Sequence, residues 1–188
     1  MRKLTVIISL LILFPATAGC AITNKYGPYY GKVIDAETKK PIEGAAVLVV
    51  FYTEEYGPAG AITHYADAVD TFTDKAGEFK IPAHRVTVLR LLQGWDKYGY
   101  FTIFKPGYGC YPHHKDVNPM FVPNGTFPED QYVKVELPRL KTREERLGNI
   151  DCFPVSIPDD KMKKLIELNN IESINLGLQP THIKGGEK

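Results

Sequence analysis

The stretch Tyr108-Gly-Cys110-Tyr111-Pro-His113-His114-Lys-Asp116 concentrates the side chains of this sequence that could do chemistry. Tyrosine, histidine and aspartate offer oxygen and nitrogen donors to a transition metal, so Tyr108, Tyr111, His113, His114 and Asp116 form a candidate metal set. The adjacent pair His113 and His114 would diverge in an extended chain, because successive side chains point to opposite sides. The alternative is a solvated loop. A second candidate is the aromatic side chains around Trp95 and Tyr98, with Tyr56, Tyr100, Tyr108 and Tyr111, in or near expected loops. Flat rings at loop tips stack on sugar faces or anchor a protein partner, whereas rings turned inward close a core. His64 or His84 could form a dyad with Asp67 or Asp70, but no serine stands in a nucleophile-elbow context. No motif implies a cofactor.

The beginning of the chain reads as an address. Met1-Arg2-Lys3 is basic, Leu4 to Phe14 is apolar, and Thr17-Ala18-Gly19 are small residues before Cys20. Such a segment is a signal peptide, shorter than the roughly 20 apolar residues of a spanning helix. Its end resembles a bacterial lipoprotein box, which implies removal of residues 1–19, lipidation of Cys20 and a tether over residues 20–28. Ala21 after the cysteine is not the aspartate associated with inner-membrane retention, so the expected place is the outer membrane, facing the periplasm. The membrane is then a partner through the lipid, and an envelope protein or a glycan is the expected second partner. Loss of Arg2 and Lys3 takes the formal charge from +1 to −1. That balance gives no reason to expect nucleic acid or an anionic membrane surface. With Cys20 lipidated, Cys110 and Cys152 remain, and a pair in an oxidising compartment is expected to be a disulfide. It would close a loop of about 40 residues and stabilise by roughly 2–4 kcal/mol.

Elements must hold these side chains in place. Lys32 to Asp35 alternates, Glu37 to Gly44 is charged with Pro41 and a glycine, and Ala45 to Tyr52 is apolar and β-branched. This is strand, reversing connection, strand, the second covered on both faces. Thr73-Asp74-Lys75-Ala76-Gly77 between Val69–Phe72 and Glu78–Ile81 reads as a second hairpin, with Gly77 at positive φ. Two hairpins imply an antiparallel sheet. Glu54 to Gly60 reads as a loop, Ala61 to Ala68 as a weakly patterned excursion, and His84 to Gln93 as helix or strand. Tyr98 to Phe104 and Gln131 to Leu137 alternate as strands around a long loop, Gly109 to Asp130, which contains Asn124-Gly125. Beyond Pro138, Arg139 to Arg146 suits a short exposed helix. Ser156-Ile-Pro-Asp159 is a capping-box pattern for a helix reaching about Ile171.

Gly31-Lys-Val-Ile-Asp-Ala-Glu-Thr, Lys40-Pro41-Ile-Glu-Gly44-Ala45-Ala-Val47, Thr73-Asp74-Lys-Ala-Gly77-Glu-Phe79 and Lys105-Pro106-Gly107-Tyr108 together resemble the carboxypeptidase regulatory-like domain. The resemblance covers roughly residues 29–137, with longer stretches at 83–100 and 109–130. It implies a mainly β fold, an antiparallel transthyretin-like β-sandwich over residues 29–138 with long loop insertions; the helix patterns beyond Pro138 add a helical appendage over 139–188. In the peptidases that name the family this domain accompanies the catalytic domain and has no zinc site. Intradiol dioxygenases, which resemble this sandwich class, hold iron with two tyrosines and two histidines. Their histidines lie one residue apart, unlike His113 and His114. The tyrosine-arginine-glycine-serine signature of the transthyretin-like hydrolases is missing from this sequence. The expectation is a lipid-anchored, non-enzymatic binding or structural module. The alternatives are a metal-dependent enzyme or metal-binding protein at residues 108–116 and a carbohydrate-binding module using Trp95 and Tyr98.

Overall fold

Strand β3, Ala46–Gly57, is the axis of the fold. Its valines and phenylalanine suit a pleated surface packed from both sides, and Ala46 to Val50 are each at most 1% exposed. The computed structural model describes residues 23–58, 60–89, 93–117, 125–150, 152–154 and 156–180. The expected signal segment, Cys20, Asn124 and residues 181–188 lie outside the described residues. Around β3 stand β1 (Thr23–Tyr26), β2 (Tyr29–Asp35), β4 (Gly60–Phe72), β5 (Glu78–Ile81), β6 (His84–Thr87), β7 (Gly94–Phe104) and β8 (Tyr132–Leu137). Helices α1 (Arg143–Leu147) and α2 (Lys163–Asn175) follow. The described residues are mainly β, 46% of them strand and 14% helix.

The strands form sheets in the orders β4-β3-β7 and β5-β2-β8, with a separate ribbon of β1 and β6. All pairings are antiparallel except β2 with β8, which is parallel. On one side of β3, Val47, Val49 and Phe51 share a core with Val33 of β2, Phe79 and Ile81 of β5, and Val133, Val135 and Leu137 of β8. On the other side, Ala46, Leu48 and Val50 pack with Met162, Leu165, Ile166 and Leu168 and with Cys110 and Cys152. Helix α2 thus covers the outer face of the β3 sheet. The Cys110–Cys152 disulfide, Cα atoms 6.4 Å apart, staples the C-terminal segment there.

Neither expected hairpin pairs with itself. Strands β2 and β3 lie in different sheets, as do β4 and β5. The turn at Gly77 is present: its φ is +75°, its N–H donates to Asp74 O at 2.9 Å, and Asp74 Oδ1 accepts from Ala76 N at 2.9 Å and Glu78 N at 2.8 Å. It carries the chain from one sheet to the other. A tight turn reverses direction, but which edge the next strand joins is decided by the faces that must be buried. The long hairpin of the molecule is β3–β4, in register from Ala46↔Phe72 to Gly57↔Gly60 with a bulge at Phe51/Tyr52. It occupies the region expected to be a loop and an excursion. The expected tether is also shorter, since Thr23–Tyr26 is already β1, paired with β6.

The capping box at Ser156 does not form. Ser156 sits at φ +67°, a 3₁₀ turn spans Asp159–Lys161, and α2 begins at Lys163. Its first turn is served from β4: Lys164 N donates to Asp70 Oδ2 at 2.7 Å, and Lys164 Nζ to Asp70 Oδ1 at 3.0 Å. An unsatisfied helix N-terminus accepts any nearby carboxylate, and the tertiary partner supplies it here. A capping box does form on α1, between Thr142 and Glu145.

Candidate functional site

The loop after β7 disperses the residues of the expected metal set. Tyr108 OH donates to Asp35 Oδ2 at 3.2 Å and accepts from Arg139 Nη2 at 2.9 Å. The Arg139 guanidinium lies 5.3 Å from its ring centre. Tyr111 is turned into the core, 2% exposed, with its ring 5.2 Å from that of Phe127. Burial pushes its phenol up to about 12. His114 Nδ1 accepts the backbone N–H of Asp116 at 3.2 Å. His113 lines a groove of about 320 Å³ with Tyr52, Tyr100 and Phe153. Among the described residues no three of His, Cys, Asp and Glu come together around one point. His113 and His114 both border a cleft of about 400 Å³ with Glu145 and Asn149, because this segment turns instead of running extended, while Tyr108 and Tyr111 are engaged elsewhere.

Two other expected constellations are split or reassigned. Trp95 and Tyr98 belong to β7 rather than to a loop. Trp95 is half-buried and meets Tyr26 edge-on at 6.4 Å. Tyr98 faces outward beneath the Lys97 ammonium, 5.4 Å from its ring centre. They form no common stacking surface. The dyad geometry does exist for His84, whose Nε2 is 2.9 Å from Asp67 Oδ2. The other oxygen of Asp67 takes Lys161 Nζ at 2.7 Å, so the carboxylate ties β4 to β6 and to the C-terminal segment. His64 pairs with Glu55 across the β3–β4 hairpin at 3.3 Å.

The outer face of β5-β2-β8 carries an arrangement that sequence reasoning missed. Tyr30 of β2 stands directly opposite Tyr132 of β8 in the parallel register, ring centres 6.3 Å apart and planes inclined by 49°. They line an open cleft of about 540 Å³ with Asp74, Glu78, Lys80 and Asp130. Tyr30 OH donates to Asp130 Oδ1 at 3.2 Å, and Tyr132 OH donates to Glu78 Oε1 at 3.3 Å. Burial, reinforced by Asp130 at Tyr30 and by Glu78 at Tyr132, raises both phenol pKa values, so both stay neutral donors. Each hydroxyl fixes its ring and a carboxylate together. No known family, curated protein or solved structure matches the chain.

Chemically, the cleft offers two ring faces, three carboxylate acceptors and one ammonium donor. Apolar C–H faces of a sugar stack on tyrosine rings, and its hydroxyls donate to carboxylates in charge-assisted bonds. The sign of the lining disfavours acidic ligands. Alternation on each strand is the only sequence trace of this face: Tyr30 shares the outward side of β2 with Lys32, as Tyr132 does with Lys134 on β8. Their meeting depends on pairing strands about 100 residues apart.

Proposed function

We propose that this chain is a lipid-anchored protein of a bacterial outer membrane, facing the periplasm, and works as a non-enzymatic glycan-binding module. Its body on this reading is a transthyretin-like β-sandwich of the carboxypeptidase regulatory-like kind. Two three-stranded sheets that share one core support the sandwich assignment, and a Cys110–Cys152 disulfide accords with an oxidising compartment. The observation that carries the binding reading is the pair Tyr30 and Tyr132, held side by side on an exposed sheet face and flanked by Asp74, Glu78 and Asp130. The ligand class this fits is a neutral or amino-bearing oligosaccharide; the aromatic platform is Tyr30 and Tyr132 in place of Trp95 and Tyr98.

The test is calorimetric titration with neutral and amino-sugar oligosaccharides. Loss of a stacking ring costs about 1 kcal/mol beyond area, so Tyr30→Ala/Tyr132→Ala should weaken binding by about tenfold or more. Tyr98→Ala should leave it unchanged. Equal affinity in the double variant, or binding of none of these sugars by the unaltered protein, would reject the glycan reading.

A further inference from the structure

A net charge near zero conceals a basic end of the molecule. On the β1–β6 ribbon, Lys25 is paired directly with Arg85, and both are exposed. Directly paired residues present their side chains to the same face; here the opposite face holds Tyr26 and Val86, both 1% exposed. Lys25 and Lys97 also line a cleft of about 440 Å³ with Asn24, Tyr98 and Glu129. The Glu129 carboxylate is engaged by Gly27 N at 2.9 Å and Tyr29 OH at 3.3 Å. None of Lys25, Arg85 and Lys97 is salt-bridged to another described residue. Leu89, 81% exposed, follows β6, and Tyr98, 39% exposed, follows Lys97.

This end is where the chain enters the fold. Thr23, the first residue of β1, lies three positions after Cys20. Three residues span at most about 10 Å whatever path they take. A lipid on Cys20 would therefore hold β1 against the headgroups. We infer that Lys25, Arg85 and Lys97, with Leu89 and Tyr98, form a surface that seats the domain on an anionic phospholipid leaflet. The inference rests on the lipid-anchor reading for its strength but not for its chemistry. Cations near an anionic leaflet are attracted individually, and an aromatic or aliphatic side chain beside them enters the interfacial zone. Three such cations favour the seated orientation by on the order of a hundredfold.

Trp95, the single tryptophan, abuts Tyr26 of β1 and reports on this end. Protein expressed from the whole sequence in a bacterial host and purified from its membranes is reconstituted into phosphatidylcholine vesicles, with or without phosphatidylglycerol, containing brominated phospholipid as quencher. Quenching of Trp95 should rise with phosphatidylglycerol and fall back in Lys25→Glu/Arg85→Glu/Lys97→Glu. Lys40→Glu/Lys75→Glu, exposed at the other end of β2, should behave like the unaltered protein. Quenching indifferent to phosphatidylglycerol, or to the triple reversal, would overturn the surface. A high-salt wash from phosphatidylcholine vesicles tests the anchor separately. Protein that washes off has no anchor, and the basic surface must then still give salt-sensitive binding to phosphatidylglycerol vesicles, or it fails too.

Discussion

Glu172 is 2% exposed and remains ionised. Burial alone would raise its pKa, but Arg146 donates Nε at 2.7 Å and Nη2 at 2.5 Å, and Gly107 N adds a bond at 3.2 Å. The net effect holds it below the usual carboxylate range. Removing one member of a buried pair strands the other charge. Arg146→Ala should therefore lose about 3 kcal/mol in urea unfolding; an unchanged midpoint would remove the pair from the stability account. Asp35 is a second such anchor. Burial pushes it up, yet the N–H groups of Thr38 and Glu37 and the Tyr108 hydroxyl bring it from 3.8 to about 2. A depressed folded-state pKa stabilises the native state above the unfolded value and ceases to do so as pH falls through the folded one. The Asp35 contribution should disappear between about pH 4 and pH 2. Thermal melts across that window should flatten in Asp35→Asn, and an unaltered slope would assign acid sensitivity elsewhere.

The elements owe their arrangement to contacts that a local pattern does not contain. Strand β2 packs tightly against β8: a Cβ on Gly31 would lie 2.3 Å from Val133 O and 2.5 Å from its Cγ2. Gly31→Ala should force the parallel pair apart and cost roughly 1–3 kcal/mol, as overpacking does. Since β2 and β8 present Tyr30 and Tyr132, the same variant should weaken the proposed glycan binding while leaving the β3–β4 amides protected from hydrogen exchange. Loss of protection throughout both sheets would instead make the two sheets one cooperative unit. The alternation of Tyr132 to Leu137 and the two-sided apolarity of Ala46 to Val50 were legible, because burial patterns repeat along a strand. The β3–β4 hairpin was not, because Gly60 to Phe72 is only half-buried along most of its length and so has little apolar period to read. The placing of the expected metal set was not legible for a related reason: density of donors along the chain says nothing of where a turning backbone points them, and Tyr108 and Tyr111 are engaged by Arg139 and by the core.

At the scale of the whole molecule, the C-terminal segment packs on the outer face of the β3 sheet; Asp70 and Glu172 hold its helix, Asp67 the 3₁₀ turn before it, and the disulfide its start. Replacing Cys110 and Cys152 by serine should cost roughly 2–4 kcal/mol, with amide exchange quickened first in α2. Intact-mass measurement after alkylation without reductant should find neither cysteine labelled; two labelled thiols would refute the bridge. By itself the sequence determined the mainly β character, the covered strand β3 and the turn at Gly77, because propensity, alternation and glycine φ are local; with three cysteines, the Cys110–Cys152 pairing followed only from the expectation that Cys20 carries lipid. Only the tertiary structure decided that two turns cross between sheets, that Asp70 caps α2, that Tyr30 meets Tyr132, and that Lys25, Arg85 and Lys97 gather at one end. Each of these depends on which distant surfaces bury one another, and no window of sequence contains both partners.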